Sequence, residues 1–455
     1  MKSIGTLLFL VTLSLWPISN STAQGGFYNL GFPSSKHPYP DSVGSSRVNP
    51  GIATGSSSGF YIRFGEDIAK LCANYGISLN SSDPNRYRFP KFRVNVYATQ
   101  GGFDSVKRLR YEREVQLAIV QSDLRYFAAK MIDEELDPKK REAWRQIANE
   151  IKLVLPLYKE KVHILVRPDD KARFKDLAGL MKAGATVNVG QISSGGMITC
   201  LTMEDTITKS RAWQQNGNRT WKRRYHPTDA ALDMLTGNNR TDKIDAVILV
   251  GGIPYPALKN YGMNWAVTKG LFKKGLESKP QLALLPVGDE ARELLCAHDH
   301  ENGRHSRHLH NYVGCYLPDE INIQDYKFLG DGNEKVDTIG VYSCLVTHSS
   351  YTDSSKDSHK IKWVRHILFR ILTKLDPNTD YGLPTDFGVP RAGDKWKEVK
   401  PFPAMSSSEA NWEDIYGWPR HDDKILRQMV DIWAEGGGGE GGSSSTSIVD
   451  PIRLF

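Results

Sequence analysis

The feature that most restricts what this chain can fold into is a unit that occurs twice: a short β-type run, a turn of glycine and serine, then a helix start. In the first copy Gly51 to Thr54 leads through Gly55-Ser56-Ser57-Ser58-Gly59 into Phe60, Phe64, Ile68 and Leu71, which fall at the spacing of one helix face. In the second, Ala185 to Val189 leads through Gly190-Gln191-Ile192-Ser193-Ser194-Gly195-Gly196. Strand, turn, helix is the opening unit of an α/β domain, so the recurrence predicts an α/β fold with two lobes of one plan.

The stretch between the copies fits that reading. Phe92 to Tyr97 alternates as a strand, Thr99-Gln100-Gly101-Gly102 turns, Ser105 to Arg113 is a short basic helix, and Val115 to Val120 is a strand of the fully buried type. A charged helix is predicted over 129–150. Ile151 to Arg167 then carries two apolar runs separated by Lys159-Glu160-Lys161, and is predicted to cross between the lobes. Further strands are expected at Ile244 to Val250, Leu282 to Val287 and Thr338 to Thr347. Ile361, Val364, Ile367, Leu368 and Ile371 mark one helix face. The division expected is a first lobe over 24–158 plus 348–435, including a C-terminal extension, and a second lobe over 159–347. Beyond Asp376 the text is rich in proline and glycine with one helix near Ile425 to Ala434, and the glycine-serine run in 436–447 reads as a flexible linker.

The N-terminus carries Lys2, a mostly apolar run from Ile4 to Ile18, and small residues ending Ser21-Thr22-Ala23, which is the pattern of a secretory signal peptide over 1–23. Cleavage after Ala23 would start the mature chain at Gln24. No other stretch approaches about 18 uninterrupted apolar residues. The chain has 455 residues, 40% apolar and 24% charged, which is ordinary globular composition. Its formal charge of +7 is mild for that length, and no zinc-finger spacing or long basic helix points to nucleic acid.

Three constellations bear on chemistry. Gly55-Ser56-Ser57-Ser58-Gly59 matches the G-x-S-x-G nucleophile elbow, which makes a secreted serine hydrolase using Ser57 the alternative function. Against it, the motif lies too near the mature N-terminus for the strands and oxyanion loop that precede an elbow. A glycine-serine turn that offers amides and hydroxyls to an anion needs the same residues. The histidines His298, His300, His305, His308 and His310, between Cys296 and Cys315, suit zinc or copper by donor type, yet their Asp, Glu, Asn, Arg and Gly neighbours read as a solvated insertion. No metal, cofactor or catalytic residue is therefore expected. Five cysteines specify no disulfide framework, although Cys296 and Cys315 could close one loop.

An ordered set of segments resembles the TAXI family of solute-binding proteins that serve TRAP (tripartite ATP-independent periplasmic) transporters. It runs through GIATGSSSGFY, ATQGGFDSVKRLR, VQLAIVQSDLRYFA, LPLYKEKVHILVR, FKDLAGLMKAGATVNVGQISSGG, KIDAVILVGGIPYPALK, LALLPV and VDTIGVYSCLVT. The resemblance implies a type II periplasmic binding protein fold, two α/β lobes joined by a hinge, with a ligand between them. It implies ligand contacts at Ser57, Ser58 and Tyr61, at Gln121, Ser122 and Asp123, at Ser193, Ser194 and Gly195, and at Gly251, Gly252 and Pro254. The implied function is a monomeric periplasmic receptor that hands a small solute, an amino acid or other carboxylate, to TRAP membrane permease subunits. A periplasmic solute-sensing subunit would carry the same lobes. Gly196 stands where the family usually has threonine, which removes one hydroxyl and leaves the ligand's identity open.

Overall fold

The computed structural model describes residues 49–56, 59–74, 77–78, 88–89, 92–215, 219–237, 243–268, 282–296, 316–329, 334–351, 358–375, 395–399, 418, 420–424, 426–427 and 429–431. The expected signal peptide, the histidine run, Cys315, the glycine-serine linker, and Ser57 and Ser58 lie outside these residues.

The strands are β1 (Gly51–Ala53), β2 (Ile77–Ser78), β3 (Arg88–Phe89), β4 (Asn95–Tyr97), β5 (Val115–Gln121), β6 (Ile151–Val166), β7 (Thr186–Asn188), β8 (Lys222–Arg224), β9 (Ala246–Gly251), β10 (Ala283–Leu285), β11 (Leu317–Asn322) and β12 (Lys335–His348). One sheet runs in the order β4-β1-β5-β12-β6-β9-β7-β8, with β10 added on β6 and β11 on β12, while β2 and β3 pair separately. Its two ends are parallel triplets, β4-β1-β5 and β9-β7-β8, and its middle is the antiparallel pair of β12 and β6. At 16 residues, β6 is long enough to serve both ends. Its first half, from Ile151, pairs with the end of β12, and its second half, Lys161 to Val166, pairs with β9. The crossing segment expected from the two apolar runs is therefore this strand, and β12 is its partner.

The helices flank the triplets: α1 (Phe60–Asn74), α2 (Gly102–Tyr111), α3 (Asp123–Glu134) and α4 (Pro138–Glu150) on the first side, and on the second α5 (Lys171–Phe174), α6 (Leu177–Lys182), α7 (Gly195–Lys209), α8 (Arg211–Gln215), α9 (Thr228–Thr236), α10 (Pro256–Thr268) and α11 (Asp289–Cys296). Then come α12 (Ser358–Leu375) and the single turn α13 (Lys395–Glu398). The apolar face read in α1 is the buried one, with Phe64, Ile68, Leu71 and Cys72 out of solvent. Trp144 of α4 packs on Phe103 of α2 and Phe127 of α3, at 4.8 and 5.6 Å between ring centroids, and ties three helices into one core. The second side has its own, built from β9, α9, α10 and β10 around Leu232, Val247, Leu258 and Leu284.

Two elements depart from the sequence reading. The single helix expected over 129–150 is two helices, because Pro138 lacks the N–H needed to continue α3 and starts α4 instead. Asp137 caps the new helix by accepting from the amides of Lys139 and Lys140, at 2.8 and 3.4 Å. β11 was not expected, since Leu-Pro-Asp-Glu-Ile-Asn has no apolar alternation; it is an edge strand with one polar face in solvent, where proline is tolerated.

Candidate functional site

In a parallel β-sheet with following helices, the loops that leave the carboxyl ends of the strands meet over a crevice. Here both triplets open onto the same one. The exits of β1 and β4 contribute Gly55, Ser56, Gly59, Phe60, Gln100, Gly101 and Gly102; the exit of β7 contributes Gly190, Gln191, Ser194, Gly195 and Gly196; the exit of β9 contributes Gly251, Tyr255 and Pro256; and Thr228 comes from α9. The cleft they enclose has a volume of about 130 Å³.

Its rim is made of helix starts. The first amides of a helix have no partner within it, and the aligned peptide dipoles place roughly half a positive charge there. α1, α2, α7 and α10 all begin at residues that line the cleft. Ser194 caps α7 by accepting from the Met197 amide at 3.1 Å, so Gly195 and Gly196 hold the helix's first two amides at the cleft wall. A second network fixes the turn before α2. Ser105 donates to the Thr54 carbonyl at 2.6 Å, and Thr99 shares a 2.9 Å hydroxyl contact with Ser105.

The two sides touch across the cleft through glycines. Gly101 has φ 141°, a backbone that side chains rarely adopt, and a Cβ there would lie 2.6 Å from Ser194 Cα and 2.8 Å from the Ser193 carbonyl. A Cβ on Gly195 would fall 2.0 Å from Oε1 of Gln121. Main chain of one side is thus in van der Waals contact with the other.

Glu160 lies at the floor, and sequence reasoning passed over it as part of a polar interruption. In a strand, neighbouring side chains point to opposite faces. Lys159 and Lys161 both turn to one face and bind Asp319 of β11 at 2.9 Å each, which leaves Glu160 directed into the cleft from the other. It is 5% exposed. Its Oε2 accepts from the Tyr61 hydroxyl at 2.9 Å and from Nε2 of Gln121 at 2.7 Å, and its Oε1 accepts from the Tyr158 hydroxyl at 3.2 Å. Burial pushes the Glu160 carboxyl up to about 7, against those three hydrogen bonds, which pull it down. Burial first, and then the neighbouring carboxylate, hold the Tyr61 hydroxyl well above its usual range. Beneath the second side, His163 is shut from solvent, with Nε2 2.8 Å from the Tyr326 hydroxyl. Burial lowers it to about 4, so it is neutral near pH 7.

Of the residues expected at the site, the structure brings Tyr61, Gln121, Ser194, Gly195 and Gly251 to the cleft. Ser122, Asp123, Ser193, Gly252 and Pro254 are not among those that line it. Ser122 is engaged with β12, donating its amide to the Tyr342 carbonyl at 2.8 Å. Asp123 is buried between α3 and α7, where its Oδ2 accepts from the Thr199 hydroxyl at 2.6 Å and from the Tyr316 hydroxyl at 3.1 Å. Burial raises its carboxyl to about 6 against those bonds. Ser193, with φ 71°, shapes the turn that presents Ser194. Gly252 sits against the Phe60 ring, 3.2 Å from where its Cβ would be, and Pro254 belongs to the turn after β9. Among the described residues no histidine, lysine or arginine lines the cleft, no cluster of residues could hold a metal ion, and no helix is long and apolar enough to cross a membrane.

Comparison with curated proteins gives no match. Among solved structures the chain is similar to an amino acid ABC transporter substrate-binding protein from Streptococcus pneumoniae bound to L-arginine, at 11% identity over 71% of this chain and 88% of that one, with a TM-score of 0.30. A Candida albicans protein described as having the generic periplasmic binding protein structural fold is 9% identical over 89% and 94%, with a TM-score of 0.33. A Bordetella bronchiseptica RB50 protein is 11% identical over 90% of each chain, with a TM-score of 0.35. These likenesses are distant. The topology itself, two α/β halves joined by a long antiparallel strand pair, is the plan expected of a type II periplasmic binding protein. Residues 52–261, which include Glu160 and the strand exits of both triplets that open on the cleft, match the NMT1-like family.

Proposed function

We propose that this chain is an extracytoplasmic solute-binding receptor that closes over a small carboxylate-bearing metabolite and delivers it to a membrane permease of the TRAP type. The observation that carries the reading is the shared cleft: loops from both triplets meet there, and its rim is built of helix-start amides and hydroxyls. Such donors suit a carboxylate. The ordered motifs that resemble the TAXI family support the transporter class. The signal-like start supports a periplasmic location, and a monomer suffices because one chain closes the cleft. In this reading the first lobe comprises 24–158 plus 348–435 and the second 159–347, with 436–447 a flexible linker. The fastening of Trp418 and His421 to β5 and β6 supports the placement of the C-terminal segment with the first lobe. Solute reaches the open form, and the shut form is favoured by its tighter grip.

Native mass spectrometry of the purified protein identifies a co-purifying small molecule, and thermal shift with candidate carboxylates then ranks them. A solute at 100 times its Kd stabilises the folded state by about 2.7 kcal/mol. Tyr61→Ala and Ser194→Ala are expected to abolish that rise. A rise that survives both substitutions would place the binding site elsewhere.

A further inference from the structure

We propose that the outer border of the second half, where β8 ends the sheet, is a docking surface for a membrane of anionic phospholipid. The proposal goes beyond the receptor reading and does not depend on what the cleft holds.

From Thr206 to Thr228 the sequence has no aspartate or glutamate, yet it carries Lys209, Arg211, Arg219, Lys222, Arg223 and Arg224. The fold gathers most of this run at one border. β8 is the last strand in the sheet's order and bonds to β7 on one side. Alternation along β8 turns Arg223 to one face and Lys222 and Arg224 to the other. Arg223 is engaged within the fold: its Nε donates to Oε2 of Glu204 at 2.8 Å, and the Thr220 hydroxyl donates to the same carboxyl. Lys222 and Arg224 are exposed, as are Arg219 and, at the start of α8, Arg211. The Trp213 indole N–H donates to the Arg219 carbonyl at 2.9 Å, which ties α8 to the segment that enters β8. Arg211, Arg219, Lys222 and Arg224 pair with no acid among the described residues. The acids of adjoining elements are engaged elsewhere. Asp205 holds Lys130 and Lys209 at 2.8 and 2.9 Å, Glu290 holds Lys182 at 3.0 Å, and Asp245 accepts from the Thr186 amide at 2.8 Å. Asp229 follows only in the first turn of α9.

Such a patch suits a diffuse anionic surface and not a peptide. The two tryptophans of the segment, Trp213 and Trp221, are 2% and 3% exposed, so neither offers an apolar contact to an incoming side chain or a face on which a base could stack. A headgroup layer needs neither, because long basic side chains reach its phosphates independently. Each basic side chain near an anionic bilayer strengthens adsorption roughly fivefold, and the attraction fades beyond a Debye length of about 8 Å at physiological ionic strength. Charged side chains on an edge strand also keep sheets from pairing, but that role does not distinguish one lipid from another. In the receptor reading, adsorption at this border keeps the chain beside the membrane that holds its permease.

The test sediments the mature chain, from Gln24 onward, with vesicles of phosphatidylcholine alone or with about one third phosphatidylglycerol. Binding to the anionic vesicles is expected to be about tenfold or more stronger than to the neutral ones, and to vanish as NaCl rises from about 50 mM to about 500 mM. Lys222→Glu with Arg224→Glu should weaken it about tenfold or more. Lys139→Glu with Lys140→Glu changes the net charge equally on α4 of the first half, and should leave it within about twofold. Equal binding to the two kinds of vesicle, or binding to neither, overturns the proposal even if the β8 variant fails to fold. An equal loss in both variants also overturns it, since net charge alone would then govern adsorption. Stronger binding to duplex DNA than to the anionic vesicles, at equal phosphate concentration, overturns it in favour of nucleic acid. The vesicles hold neither permease nor solute, so each of these failures leaves the receptor reading standing.

Discussion

Lys159, Glu160 and Lys161 illustrate how a residue's neighbours decide its direction. The two lysines share Asp319, whose carboxyl burial would raise but whose hydrogen bonds from Lys161 and Lys159 hold below its usual range. The acid between them has only the cleft to enter. Strict alternation made that legible in principle, but a lone Lys-Glu-Lys in an apolar strand looks the same whether it lies in solvent or at a buried floor; only β11, which has no apolar pattern to announce it, distinguishes the two. Asp123 shows the converse, since it follows a strand exit as a ligand-facing residue would and its Oδ2 accepts from Thr199 and Tyr316. Tyr61→Phe removes one of the three bonds to Glu160 and is expected to cost about 1 kcal/mol in urea unfolding of the solute-free protein. The pH dependence follows from Glu160, raised from 4.5 to about 7, and Asp123, raised from 3.8 to about 6. The folded chain holds protons that the unfolded chain has already released, so these two groups lower stability as pH rises from roughly 4 to 7. Unfolding midpoints taken at pH 5 and pH 7.5 should show it, and Glu160→Gln with Asp123→Asn should flatten the difference.

At the scale of elements, the two glycine-serine turns were readable because glycine and serine are what a tight strand-to-helix turn requires, and the structure brings both to one cleft. What the sequence could not carry is how closely they approach. Gly101 and Gly195 meet atoms from the opposite side, contacts between residues far apart in the chain that no local pattern encodes. Gly101→Ala introduces a side chain at φ 141° and against Ser194, at a strain of about 1–3 kcal/mol. Gly195→Ala pushes on Gln121 without a backbone penalty. Both variants are expected to stay folded by circular dichroism yet lose the solute-induced compaction in small-angle X-ray scattering. A variant that compacts like wild type would show that the shut form does not need these contacts. The helix cap is a separate matter of local stability: Asp137→Ala should cost about 1 kcal/mol without touching the cleft.

Over the whole molecule, β6 and β12 join the two halves, and the chain's last described segment returns to pack on β5 and the start of β6. Trp418, fully buried, donates its indole N–H to the Gln121 carbonyl at 3.3 Å, and His421 donates its amide to the Leu153 carbonyl at 3.0 Å. The sequence beyond Asp376 gave no hint of this, because scattered tryptophans without periodicity do not say what they pack on. Trp418→Ala is expected to cost about 3–5 kcal/mol, read from the unfolding midpoint. The carboxyl of Asp123 sits where helices of the two halves meet, α3 and α7. If the proposed opening parts those helices, it hydrates the carboxyl and returns it to ordinary acidity. On that reading closure near pH 5 draws a proton from the medium, and the heat measured on adding solute is expected to vary with the ionisation enthalpy of the buffer chosen.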